Sequence, residues 1–219
     1  MKHHKLQRAL LGLTLAAASA LAQAGVLGFD QRADFNAAGH IAVNSNFDDF
    51  GRGYHFPGSD FSRGDVTYVS DENLVVGAGT AMSVGKLRPV MSNEYWSPLV
   101  AQVNEAPRYS MLGFDAAVTA GPVDITIDTN QGSYAYHGVS LPNGSAGFGF
   151  KGFVATGVGE YFTGFRIDSQ GSGYLAGVTD VALGQVSAVP EPGSAAMLLA
   201  GLGMLGWLRR HKGGSDPRV

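Results

Sequence analysis

Between Val123 and Thr129 the chain alternates without a break, with Val123, Ile125 and Ile127 on one side and Asp124, Thr126 and Asp128 on the other. A period of two belongs to a half-buried β-strand, because successive side chains of an extended backbone point to opposite faces. Most of the chain between its two ends reads the same way, as short apolar runs closed by turn residues. Val66–Val69 lies between Gly64-Asp65 and Ser70-Asp71, Leu74–Val76 ends at Gly77, and Leu99–Val103 ends at Asn104. Tyr109–Phe114 and Ala116–Thr119 stop at Gly121-Pro122. Asn130-Gln131-Gly132 turns the chain into Tyr134–Val139, and Pro142-Asn143-Gly144 precedes Phe148–Phe153. Tyr161–Ile167 and Tyr174–Val186 complete the series. Strands at this spacing predict an all-β fold, an antiparallel β-sandwich of jelly-roll type. The runs Phe162–Ile167 and Gly177–Leu183 resemble the closing strands of such domains. One short helix is expected over Gln31–Ala38, with Asp30 as N-cap, Gly39 as stop, and Phe29 and Phe35 facing the core.

The ends differ in kind. Lys2, Lys5 and Arg8 precede an apolar run, Ala9–Ala22, and Ala22-Gln23-Ala24 puts small residues at the −3 and −1 positions before Gly25. This pattern predicts a secretory signal peptide, residues 1–24, passing the Sec translocon and removed by signal peptidase. At the other end Ala195–Leu208 is apolar and is followed at once by Arg209, Arg210, His211 and Lys212. As a helix this run would measure roughly 21 Å, against a hydrocarbon core of about 30 Å, a marginal membrane anchor. Basic flanks stay cytoplasmic, so the two charged ends together place the intervening chain outside the inner membrane.

Pro190-Glu191-Pro192, the short apolar helix and the arginine-rich end resemble the PEP-CTERM sorting signal. The resemblance implies export in a Gram-negative bacterium, transient anchoring in the inner membrane, and cutting near Pro-Glu-Pro by an exosortase. A destination at the cell surface or in the extracellular space follows, often alongside extracellular polysaccharide. Pro190, Glu191, Pro192, Arg209 and Arg210 are the residues that carry it. The expected organisation is a signal peptide (1–24), a β-sandwich domain (25–188), the sorting signal with its transmembrane helix (189–212) and a C-terminal extension (213–219).

Charge and composition narrow the chemistry of the sandwich domain. Eight basic and sixteen acidic residues lie between Gly25 and Val189, a net charge near −8. Such a surface repels phosphate backbones, so no nucleic acid is expected as a partner. Cysteine is absent, which removes disulfides, thiolate metal sites and a Cys nucleophile. No Ser occupies a nucleophile elbow, and His40, His55 and His137 stand apart with no zinc-hydrolase spacing. Gly147-Phe148-Gly149-Phe150-Lys151-Gly152 spells G-x-G-x-x-G but alternates as a strand, without the helix a nucleotide loop requires.

Asp48, Asp49 and Asp180 are candidate ligands of a structural calcium between loops; the same acids also read as solvated surface and Asx turns. Asp128-Thr129-Asn130-Gln131-Gly132 has the oxygen spacing of half a calcium loop. No other cofactor is expected. Tyr95 and Trp96 are candidate glycan contacts, since aromatic faces stack on the apolar faces of sugars. Tyr54-His55-Phe56 and Tyr134-Ala135-Tyr136-His137 are further aromatic clusters. The expected role is a non-catalytic, structural or glycan-associated exported domain. The alternative is an exported polysaccharide hydrolase, which would need two carboxyls about 5–9 Å apart across a cleft.

Overall fold

A computed structural model of the chain describes residues 25–79, 84–94, 97–169, 175–187 and positions 201 and 204. The chain divides into two compact units, Met1–Val186 and Ser187–Val219. The described residues of the first form twelve strands and a short helix: β1 (Val26–Phe29), α1 (Arg32–Ala37), β2 (Gly39–Ser45), β3 (Gly53–Arg63), β4 (Val66–Ala78), β5 (Val90–Asn93), β6 (Leu99–Val103), β7 (Met111–Val118), β8 (Val123–Thr129), β9 (Gly132–Val139), β10 (Gly149–Ala155), β11 (Phe162–Ser169) and β12 (Ala176–Val186).

All strand pairs are antiparallel, and they run in the order β1-β10-β7-β12-β5-β4-β6-β11-β8-β9. This continuous sheet folds over on itself into two layers. One holds β5-β12-β7-β10 and the other β6-β11-β8-β9. Labelling β5 to β12 in chain order as the eight strands of a jelly roll reproduces both of its sheets. The all-β sandwich read from the sequence is therefore the fold. Between the layers Phe114 stacks on Phe165, ring centres 4.7 Å apart, within a core that includes Leu112, Ile125, Ile127 and Leu183.

Strand β4 joins the layers. Val66–Val69 pairs with β6, whereas Leu74–Gly77 pairs with β5. The polar stretch between them is exposed at Asp71–Asn73, where the strand passes around the corner. The sequence read two strands here because turn-forming residues occupy a place where the strand bends but does not end. Strand β3 lies along β4 and, among the described residues, pairs with no other strand. Register shifts on either side of Gly58, with φ +105°, let it follow the bend.

Helix α1 corrects one expectation. Its N-cap is Gln31, and no side chain caps it. Asp30 instead accepts a hydrogen bond from Lys151 Nζ at 2.6 Å, because β1 brings it beside β10. A carboxylate offered a cation there has a stronger partner than a backbone N–H.

The helix covers the outer face of the β10-β7-β12 layer with Phe35, which is fully buried with Met111, Val154 and Ala182. Gly113 and Gly152 make room for that ring. A Cβ on Gly152 would stand 2.7 Å from Phe35 and 2.8 Å from Phe150. Of the glycines of the apparent nucleotide motif, Gly149 and Gly152 thus belong to β10 and Gly152 seats an aromatic ring, while Gly147 lies in the loop before the strand with φ +138°.

Candidate functional site

Three places on the described surface concentrate chemistry. The first is an aromatic pair on the edge strand β3. Tyr54 and Phe56, two residues apart, share a face and are 49% and 56% exposed. Their rings are 6.1 Å apart and inclined by 29°, a stacked arrangement. His55, between them, points to the other side and packs edge-on against Phe50 at 5.4 Å. Phe50 also meets Phe61, and Phe47 meets the buried Tyr68, so the strand is anchored from within while its outer rings stay bare. Burial pushes the Tyr68 phenol well above its ordinary pKa.

The second place is the seam where the folded sheet does not close. Its terminal strands, β1 and β9, face each other there. A cleft of about 450 Å³ opens between them, lined by Phe29, Asp30, Tyr136, Ser140, Lys151 and Phe153 among others. Tyr136 spans the gap: its hydroxyl donates to the Val26 carbonyl at 3.2 Å and its ring tilts against Phe153. Tyr134, on the same face of β9, donates to Glu160 Oε1 at 2.8 Å. That bond and burial both raise the Tyr134 phenol. Glu160 is 4% exposed. Burial alone would raise its pKa, but hydrogen bonds from Tyr134, Thr129, Gly157 N and Gly25 N prevail and hold it below the ordinary value.

The third place is an ionic cluster on the outer face of β7 and β12. Asp115 accepts from Arg32 Nη2 at 2.9 Å and Arg88 Nη2 at 3.0 Å. The same Arg88 nitrogen reaches Asp180. Asp180 lies at a register shift in β12 with φ +48°, a conformation Asp tolerates better than most residues. Arg32 and Arg88 lie over the rings of Phe150 and Phe148, at 4.5 and 5.2 Å from their centres.

The candidate calcium acids are placed apart from any shared site. Asp48 and Asp49 form a short 3₁₀ turn, and Asp49 is bidentate to Arg63, which lowers its pKa. Asp180 is taken by Arg88. Among the described residues no group of three His, Asp or Glu side chains could hold a metal. The Asp128–Gly132 stretch is the β8–β9 hairpin turn: Thr129 Oγ1 accepts from the Gln131 and Gly132 amides, and Asp128 accepts from Ser133. His137 pairs with Asp124 at the surface.

Tyr95 and Trp96, Ala22 and Ala24, and the tail residues Pro190, Glu191, Pro192, Arg209 and Arg210 lie outside the described residues. Among those described, no helix is long and apolar enough to cross a membrane. In the expected tail helix, Gly201 and Met204 are described, and both are helical.

The tail is nevertheless settled by its sequence. Residues 188–212 match the PEP-CTERM protein-sorting motif. A PEP-CTERM motif implies export to the cell surface or beyond and an exosortase as processing partner. No curated protein matches the chain. Among solved structures, two variants of a family 29 carbohydrate-binding module, examined for ligand recognition, are similar. One is 14% identical over 70% of this chain and 97% of its own, with a TM-score of 0.33. The other is 15% identical over 76% and 89%, with a TM-score of 0.32.

Proposed function

We propose that this PEP-CTERM protein is a cell-surface or extracellular-matrix component whose sandwich domain is non-catalytic and associates with neutral polysaccharide through Tyr54 and Phe56. The observation that carries the glycan reading is the bare, stacked pair on a free edge strand. Two large rings left in water are unfavourable unless something covers them, and aromatic faces cover the apolar faces of sugar rings. The acidic domain surface favours an uncharged partner over an anionic one. The sorting motif supports the location, since its processing delivers the domain to where polysaccharide is found.

The hydrolase alternative needs two carboxyls free to act across a cleft. Asp115 and Asp180 do converge, but on one Arg88 nitrogen that ties up both. The test is retention of the exported protein on neutral polysaccharide gels in affinity electrophoresis. Replacing Tyr54 and Phe56 together with Ala should weaken retention about tenfold or more, equivalent to about 1.4 kcal/mol, while leaving the melting temperature nearly unchanged. Equal retention by the double variant ends the assignment to these rings. Release of reducing sugar over the same incubation would favour the hydrolase.

A further inference from the structure

Glu160 is a buried carboxylate with four neutral donors and, among the described residues, no cation. Its Oε1 accepts from Thr129 Oγ1 at 2.9 Å and Tyr134 OH at 2.8 Å. Its Oε2 accepts from Gly157 N at 3.0 Å and Gly25 N at 3.2 Å. Buried charges are ordinarily balanced by an opposite charge. One of these four donors can acquire a charge. Gly25 directly follows Ala22-Gln23-Ala24, the expected exit of the signal peptide. Its carbonyl is also fixed, accepting from Thr156 N at 2.8 Å and Thr156 Oγ1 at 2.9 Å. The nitrogen is therefore held against Glu160 from both sides of the residue.

We propose that removal of the leader turns the Gly25 nitrogen into an α-ammonium that pairs with Glu160 in the seam, so that processing completes an ion pair where the β1 and β9 edges meet. The inference rests on cleavage between Ala24 and Gly25. Water adds across that peptide bond; the carboxylate stays with Ala24, and the released amine on Gly25 takes up a proton. The nitrogen need not move. A 3.2 Å contact from a neutral amide becomes a charge-assisted one, about twice as strong. The unprocessed chain, like one cut one residue early, presents only a neutral amide to Glu160.

The pairing has a pH signature. The Glu160 carboxylate raises the folded-state pKa of the amine above its unfolded value of about 8. Its contribution is complete below pH about 8 and disappears as pH rises through the raised folded value. The other titratable groups facing the site are the phenols of Tyr134 and Tyr136, with Arg108 over the neighbouring Tyr161 ring. Both phenols are raised above the ordinary Tyr value, Tyr134 mainly by its bond to Glu160 and Tyr136 by burial.

The test uses four exported chains: the natural sequence and one with a single Ala inserted between Ala24 and Gly25, each with and without Glu160→Gln. Intact mass fixes the first residue. A natural chain that does not begin at Gly25 overturns the cleavage site and the pairing with it. If it begins at Gly25, its melting temperature at pH 7 should exceed that of the extended chain by about 4 °C or more. The gap should vanish by pH 10 and be absent in the Glu160→Gln pair. Equal melting temperatures overturn the pairing while leaving the cleavage site standing. Should the extended chain fail to fold, acetylation of the α-amine decides. It should be at least tenfold slower in the folded natural chain than in the Glu160→Gln variant, and equal rates overturn the proposal.

Discussion

The two layers of the sandwich are built differently. Strands β8, β6 and β9 show one face to the core and the other to solvent; along β8 buried and half-buried residues alternate from Val123 to Thr129. Strand β7, in the opposite layer, is buried on both faces from Met111 to Val118 except at Asp115, and β12 is nearly the same. Helix α1 and the segment around Val84 and Val90 cover that outer face, with Asp115 and its two arginines between them. A covered face can carry apolar side chains on both sides of each strand, whereas a bare one must alternate. Stability should therefore be concentrated on one outer face and almost absent from the other.

The strongest challenge to this contrast is Phe35→Ala. Removing a fully buried ring packed against Phe29 and Phe150 should cost about 3–5 kcal/mol in a urea titration. A loss below about 1 kcal/mol would mean that the cover unfolds apart from the sandwich.

Next comes the tie between the layers at Glu160. Its folded pKa lies below the unfolded value, so its contribution is present above pH about 4.3 and lost as pH falls through the lower folded value. Glu160→Gln should flatten that acid limb of the melting curve; an unchanged limb would remove Glu160 as the tie.

Asp115→Asn leaves Arg32 and Arg88 without their shared carboxylate. These groups are one-fifth to one-third exposed, so screening limits the loss to about 1–2 kcal/mol, smaller still in 1 M salt. A loss independent of salt would assign the role of Asp115 to packing. The smallest effect is expected at Thr126, outward on β8 in the bare layer. Thr126→Ala should stay within about 0.5 kcal/mol, and a larger loss would reveal a cover on that face too.

The same contrast explains what was legible. Strands β8 and β9 could be read because their alternation is written in adjacent residues. Tyr134 and Tyr136 share the inward face, as their spacing requires, while His137 faces out. Strand β7 was divided at Asp115 because a charge in an apolar run looks like a break, and its neutralisation by Arg32 and Arg88 comes from distant parts of the chain. Strand β3 was missed because its Pro57 and glycines are tolerated only on an edge, and whether a strand is an edge depends on its pairing. Tyr54 and Phe56 were visible as an aromatic cluster; that both rings stay bare while His55 turns inward followed from the same pairing. Glu160 had no local signal, since its partners lie at positions 25, 129, 134 and 157.

By itself the sequence determined the sorting motif and the all-β sandwich class, because these depend on contiguous charge, hydropathy and periodicity. Tertiary structure alone decided which face acquired a cover, which aromatic rings stayed in water, and which nitrogen met the buried carboxylate. Those outcomes depend on groups far apart in the chain, brought within hydrogen-bonding or van der Waals range by the fold, and such short-range forces leave no periodic trace in the order of residues.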